Sequence, residues 1–183
     1  MPVHSILIWS NQTKAINTIV FAKYYNKYSR DEQEEFESTL LSNADVYLAR
    51  NIESLFCFTI RNDIHVVFQR FGQLIIFVSG CDEMDEIMLA DVVNCIRNII
   101  LTLLSHRGVG DVETNKAADT SILGEKGTSD GTSLKSGYPS EHDILNPMVY
   151  GMLTLAIDEL VAGPGILDSM DVESLLLAAK MKV

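Results

Sequence analysis

The sequence predicts an α+β fold in which helices cover both faces of an antiparallel sheet. Three apolar runs, at 55–60, 64–68 and 74–78, are separated by a three-residue polar turn and by a turn around Gly72. Connections this short join strands that are antiparallel neighbours. None of the three runs alternates cleanly between apolar and polar residues, so both faces of this meander should be buried. A long helical pattern follows directly, which favours an α+β fold over a β-sandwich.

A hairpin and a helix are predicted before the meander. Residues 5–9 and 18–25 are rich in β-branched and aromatic side chains, and turn residues lie between them. Ser29 and Glu32 have the spacing of a capping box, in which a hydroxyl and a carboxylate bind backbone amides at the start of a helix. A helix over about 30–41 should therefore follow, with its acidic first turn stabilised by the helix dipole. The sheet is then expected to have five strands.

After the meander, the sequence predicts three helices and one disordered loop. Residues 84–105 repeat apolar side chains at helical spacing, and Asp82 and Asp85 stand where they would cap that helix. Residues 111–141 are rich in Gly, Ser, Thr, Asp and Lys, which is typical of a disordered surface loop. Asn146 as N-cap and Pro147 at the first helical position predict a helix to about residue 161. A short helix at 172–182 follows, and the order of elements matches a single longin-like domain over 1–183.

Charge and composition argue against several classes of function. The chain has 183 residues, with 14 Lys and Arg against 25 Asp and Glu, and a formal net charge of −11. This charge argues against a nucleic-acid-binding surface and against direct binding to an anionic bilayer. Residues 84–105 include several charged and amide side chains, so no membrane span is expected, and the first residues lack the basic region of a signal peptide. Cys57, Cys81 and Cys95 are widely spaced and are expected to be reduced, as in a cytosolic protein.

No pattern in the sequence is typical of a catalytic, metal or cofactor site. The four histidines lie in separate segments without the spacing of metal ligands. The acidic residues at 82–86 lack the central glycine of a calcium loop, and the glycines at 108–127 do not form a phosphate-binding loop. Cys95 lies on an apolar helix, where a cysteine usually belongs to the core. We therefore expect no enzyme activity, no metal and no cofactor.

Five aromatic residues are candidates for binding a partner protein. Tyr24, Tyr25 and Tyr28 form a cluster at the end of the second predicted strand, and Phe68 and Phe71 lie near a turn. Tyrosine is enriched in interfaces, but aromatic residues at strand ends also complete hydrophobic cores. The interface and core alternatives both stay open for these residues.

Five segments of the chain carry a resemblance to a known family. They are Phe-Ala-Lys-Tyr-Tyr at 21–25, Asp-Glu-Ile-Met-Leu at 85–89, Val-Val-Asn-Cys-Ile at 92–96, Ile-Asp-Glu-Leu-Val at 157–161 and Gly-Ile-Leu at 165–167. In order and spacing they resemble the coatomer zeta subunits of the adaptor small-chain family, which also contains the clathrin-adaptor sigma subunits. The chain departs from zeta in its longer loop at 111–141. It also departs at 162–164, where zeta chains tend to have an Asp followed by paired glycines.

The resemblance implies a non-catalytic subunit of the COPI vesicle coat that works by association. Its partner would be the large gamma subunit, bound as an obligate heterodimer within coatomer, which an Arf-family GTPase recruits to Golgi membranes. The chain would be cytoplasmic and would reach Golgi membranes and COPI-coated vesicles only through the assembled coat, in retrograde transport to the endoplasmic reticulum. The alternative is a sigma subunit of a clathrin adaptor complex. An isolated chain would be poorly soluble or self-associating, because an obligate interface exposes apolar surface.

Overall fold

A computed structural model of the chain describes residues 3–11, 18–48, 53–60, 63–81, 85–113, 139–163 and 165–182, without the side chains of 106–113. The elements in these residues follow the predicted order of strands and helices. They are β1 (Val3–Ser10), β2 (Thr18–Tyr24), α1 (Arg30–Leu48), β3 (Leu55–Ile60), β4 (Ile64–Phe71), β5 (Leu74–Cys81), α2 (Glu86–Glu113), α3 (Glu141–Ile144), α4 (Pro147–Leu160), β6 (Val161–Ala162), β7 (Ile166–Leu167) and α5 (Val172–Lys180).

The first five strands form one antiparallel sheet in the order β2-β1-β5-β4-β3. The β1–β2 hairpin and the β3–β4–β5 meander are joined through β1 and β5, where Leu7 lies opposite Phe77. A buried hydrogen bond of 2.7 Å between the hydroxyls of Ser5 and Ser79 crosses the same pair of strands. The predicted α+β class and five-stranded antiparallel sheet are confirmed.

Both faces of the central strands β1, β5 and β4 are buried, as the lack of alternation predicts for β4 and β5, but the same prediction is wrong for β3, which exposes Leu55, Cys57 and Thr59. On one face, side chains including Leu7 and Phe77 pack against α1, which contributes Phe36, Leu40 and Ala44. On the other face, apolar side chains of β1, β4 and β5 pack against α2, α4 and α5. Successive residues of β1 and β5 therefore enter different cores, because side chains of a strand point alternately to opposite faces.

The main core helix is α2. Its apolar side chains Leu89, Val92 and Ile96 are fully buried against the sheet. Within the described residues, one helical segment, Glu86–Ser105, is long and apolar enough to span a membrane by length and composition. Its buried side chains belong to the same core as those of α4 and α5.

Helix starts follow the predicted capping residues. Ser29 and Glu32 form a capping box: the Ser29 amide donates to the Glu32 carboxylate at 2.7 Å, and the Glu32 amide donates to the Ser29 hydroxyl at 3.4 Å. Asp85 accepts a bond of 2.8 Å from the Met88 amide at the start of α2, while Asp82 lies outside the described residues. Each of these bonds satisfies a donor that the first helical turn leaves without a partner.

Several elements extend beyond their predicted ends. Helix α1 continues to Leu48 because Ala44 is buried and Tyr47 and Leu48 pack on the same core. Helix α2 continues to Glu113 and α3 begins at Glu141, so most of the predicted disordered loop at 111–141 lies outside the described residues. The ribbon of β6 and β7 was not predicted, and its turn includes Gly163 at φ 48°.

Candidate partner-binding surfaces

Two of the candidate tyrosines join β2 to α1. The Tyr24 hydroxyl donates a hydrogen bond of 2.6 Å to the Glu37 carboxylate, and its ring lies edge-on to Tyr28 at 5.9 Å between centroids. Tyr28 in turn stacks on the buried Phe36. Burial, and then the bond to Glu37, raise the pKa of Tyr24 well above its usual value. Both tyrosines are half-buried, so each makes a core contact and has part of its surface exposed; their role in binding a partner stays a prediction.

The third tyrosine, Tyr25, packs on the opposite core. Its hydroxyl is buried with no hydrogen-bond partner in the described part of the chain, and burial raises its pKa. The Lys23 ammonium lies 5.3 Å from the centre of the Tyr25 ring and also pairs with Asp158 on α4. The end of β2 is therefore held against α4 by the Lys23–Asp158 ion pair, and Lys23 also makes a cation–π contact with Tyr25 of its own segment.

The Asp158-Glu159 pair, part of the segment at 157–161 that carries the resemblance, has a structural role on both sides. Asp158 pairs with Lys23 of β2, and Glu159 pairs with Lys182 beyond the end of α5. Adjacent helical residues point in different directions, so the two carboxylates bind two separate elements. Together they tie the hairpin and the last helix to α4.

In this structure, Phe68 and Phe71 lie in the hydrophobic core. Phe68 is fully buried and lies 5.2 Å from the ring of Phe77 and 5.5 Å from that of Phe56, between ring centroids. Phe71 is 4% exposed and packs on the opposite face, where the Arg97 guanidinium lies 5.2 Å from its ring centre. Neither ring has the free surface that a partner contact requires in this structure.

Exposed apolar side chains mark a surface that the sequence reasoning did not single out. Of the eleven large apolar side chains exposed in the described residues, seven lie between 145 and 181. Leu177 on α5 and Met181, the residue that caps its C-terminus, are four residues apart and are 61% and 78% exposed. The sequence could have indicated that these two side chains are exposed, because helical spacing places them away from the buried Leu175, Leu176 and Ala179. We call the seven side chains the C-terminal apolar surface: Leu145, Met148, Tyr150, Ile166, Met170, Leu177 and Met181.

A second feature is a groove between the edge strand β3 and the start of α2. Its cavity has a volume of about 240 Å³. The groove exists because α2 packs on β4 and β5, which leaves the α2-facing side chains of β3 uncovered. We call it the β3–α2 groove; its lining residues are Leu55, Phe56, Cys57, Val67, Glu86, Ile87, Ala90 and Asp91.

The titratable groups of the described residues do not converge on a reaction centre. No group of three or more His, Cys, Asp or Glu among them is arranged to hold a metal ion. Burial, and then the charge of Asp171, raise the pKa of the Cys95 thiol to about 11. Its Sγ lies 3.5 Å from the carbonyl oxygen of Met170. A thiol that keeps its proton at neutral pH is a weak nucleophile, so Cys95 is suited to packing rather than to catalysis.

Comparison with known proteins gives one relationship and no family assignment. No family model matches the chain. The chain is similar to the TSET complex member tstD of Dictyostelium discoideum, with 29% identity over 107 residues, which are 58% of this chain and 67% of that protein. At 29% identity the match by itself does not assign the chain to a family. It does not single out the coatomer zeta subunits either.

Proposed function

We propose that this chain is the non-catalytic small subunit of an adaptor-type complex in vesicle trafficking, and that it works by pairing with a large subunit of that complex. The observation that carries the proposal is the match to a protein named as a TSET complex member. The antiparallel sheet enclosed by helices is consistent with it, since the resemblance to adaptor small chains implies that fold. The proposed role is association with that large subunit.

The C-terminal apolar surface is the face that we assign to the large subunit. Both faces of the central strands are already buried by the chain's own helices, so we assign the partner to an outer surface. Permanent interfaces are richer in apolar side chains than the rest of a protein surface, and most of the large exposed apolar side chains of the described residues belong to this set. The long side chains at Met148 and Met181, which are 79% and 78% exposed, are of a type that adapts to irregular partner surfaces.

The identity of the complex has two candidates, each with its own supporting observation. A TSET-type complex is favoured by the named relative. Coatomer zeta is favoured by the order of the segments at 21–25, 85–89, 92–96 and 157–161. In the second case the partner is the gamma subunit, recruitment depends on an Arf-family GTPase, and the site of action is the cytoplasmic side of Golgi membranes. A clathrin-adaptor sigma subunit is the alternative from the same family.

Co-expression separates these candidates. The tagged chain is expressed with the large subunits of the TSET-type, coatomer and clathrin-adaptor complexes of its own organism, one at a time. We expect one of them to co-purify with the chain in equal amounts through size-exclusion chromatography. Failure of all three to bind a folded chain, as judged by circular dichroism, would overturn the proposal.

A pair of matched variants tests the assigned face. Leu177→Glu places a charge on the C-terminal apolar surface, and Val46→Glu places one on α1 at the opposite side of the sheet, at a similar exposure of 64%. Charges in the centre of an interface are strongly unfavourable, so Leu177→Glu should abolish capture. Val46→Glu should leave capture unchanged. The reverse result would move the interface to the α1 side.

A further inference from the structure

Within the part of the chain that the structure describes, the edge strand β3 has no charged residue, proline, bulge or covering segment of the kind that usually protects a sheet edge. β2, at the other edge, has a register shift at its pairing with Ile8 and Trp9 and includes Lys23. β3 pairs with β4 over six residues without a shift and contains no charged residue and no proline. A flat, apolar edge exposes unpaired backbone groups and invites another strand. Natural proteins cover such an edge or use it.

The β3–α2 groove lies beside this edge, and its size suits side chains of a bound polypeptide. Its volume of about 240 Å³ is below the range of roughly 300–1,000 Å³ that is common for small-molecule sites. Leu55 and Ile87, which are 38% and 71% exposed, line it. Side chains of a strand added next to β3 would alternate in direction, so every second one would enter the groove.

The charge at the groove selects the partner. Among the described residues, the charged side chains that line it are Glu86 and Asp91, and the Glu86 carboxylate also lies 3.4 Å from Nδ1 of His65 on β4. An extended segment that alternates apolar with basic side chains fits both features. A second copy of β3 fits poorly, because that strand has no basic residue and its own acidic rim would approach the first.

We propose that the β3–α2 groove binds an extended, basic segment of another protein, which adds to the sheet as a sixth strand beside β3. Backbone hydrogen bonds to β3 supply affinity, and alternate apolar side chains packed against Leu55 and Ile87 supply specificity. Glu86 and Asp91 pair with the basic side chains at the rim. The groove involves different residues from the C-terminal apolar surface, so this binding is independent of the large-subunit interface proposed above.

Peptide binding to the full chain tests the proposal. The probe is a fluorescent synthetic peptide that alternates valine with lysine, measured by fluorescence anisotropy at physiological salt. We expect saturable binding, and slower hydrogen exchange of the β3 amides in the complex. A peptide of the same composition in scrambled order, and one that alternates valine with glutamate, should bind at least about tenfold more weakly. Equal binding of the scrambled peptide would overturn the proposal, because charge alone would then explain the interaction.

Two further comparisons separate strand addition from other modes. Methylation of alternate peptide nitrogens removes donors to β3, so equal binding of the methylated peptide would exclude an added strand. Ile87→Asn, at an exposed position, removes an apolar contact without adding charge and should weaken binding about tenfold or more, while Val46→Asn should not. Unchanged binding to Ile87→Asn would exclude the groove. Analytical ultracentrifugation tests whether the chain forms dimers. If it does, and if Cys57→Lys on β3 dissociates them, the edge binds a second copy of the chain and the proposal is wrong.

Discussion

Replacement of Phe68 by alanine should remove about 4 kcal/mol from the free energy of unfolding. Phe68 is fully buried between the rings of Phe77, Phe56 and Phe58, at 5.2, 5.5 and 5.7 Å between centroids. Truncation of a buried phenylalanine costs about 3–5 kcal/mol, and each aromatic pair adds about 0.5–1.5 kcal/mol beyond its buried area. The loss is a large fraction of the roughly 5–15 kcal/mol that stabilises a typical domain.

Urea denaturation measures this loss through the chain's single tryptophan. Trp9 is 2% exposed in the same core as Phe68, and its ring lies 5.7 Å from that of Phe77, so its fluorescence reports on this core. With a denaturant slope of about 2 kcal/mol/M, the midpoint should fall by about 2 M. Ile87→Ala, at an exposed position, is the control and should change stability by less than about 0.5 kcal/mol.

The result also decides between core and interface for Phe68. If Phe68 were an interface residue, Phe68→Ala would leave the urea midpoint within about 0.5 M of the unmodified chain and would instead reduce capture of the partner. That outcome would refute the placement of Phe68 in the core. An unchanged denaturant slope is needed for the comparison, since a changed slope reports on a different denatured state.

Three further predictions follow from single side chains. Asn146→Ala should cost about 1 kcal/mol in urea denaturation, because Asn146 accepts bonds of 3.1 and 3.5 Å from the first amides of α4; Asn146→Asp should restore it. Burial lowers the pKa of His4, so the unfolded chain binds a proton at this histidine more readily than the folded chain does. The stability that is present above about pH 6.5 is therefore lost as the pH falls. Between about pH 7 and pH 5, the free energy of unfolding of His4→Gln in urea denaturation should fall by less than that of the unmodified chain. Iodoacetamide at about pH 8 should alkylate the exposed Cys57 well before the buried Cys95, as read by mass spectrometry of peptides; equal rates would contradict the burial of Cys95.

Elements defined by local chemistry were predictable from the sequence. The bounds of β3 and the starts of α1, β4, β5, α4 and α5 agree with the apolar runs and capping residues. The ends of β4 and β5 were missed because polar residues interrupt the apolar pattern there. Gln69 is buried, and its side-chain amide donates a hydrogen bond of 2.8 Å to the carbonyl oxygen of Glu53. Ser79 is also buried, and its hydroxyl is hydrogen-bonded to that of Ser5. A buried polar group that finds its partner far along the chain leaves no local signal.

The candidate surfaces were less accessible to sequence reasoning. An aromatic residue at a strand end suits a core and an interface equally, and only packing distinguishes the buried Phe68 from the half-buried Tyr24. The β3–α2 groove depends on where α2 crosses the sheet, and the residues of β3 do not indicate that position. Exposed side chains such as Leu177 follow from helical spacing only once the buried side of α5 is known.

The sequence by itself determined the class of fold, the antiparallel meander and the helix caps, since short turns, side-chain periodicity and capping hydrogen bonds act within a few residues. The tertiary structure alone decided that β1 lies beside β5, that β3 is left as an open edge, and which aromatic rings are enclosed. These features depend on contacts between residues far apart in the chain. Their free energy comes from the fit of whole surfaces, and a local pattern of residues does not specify it.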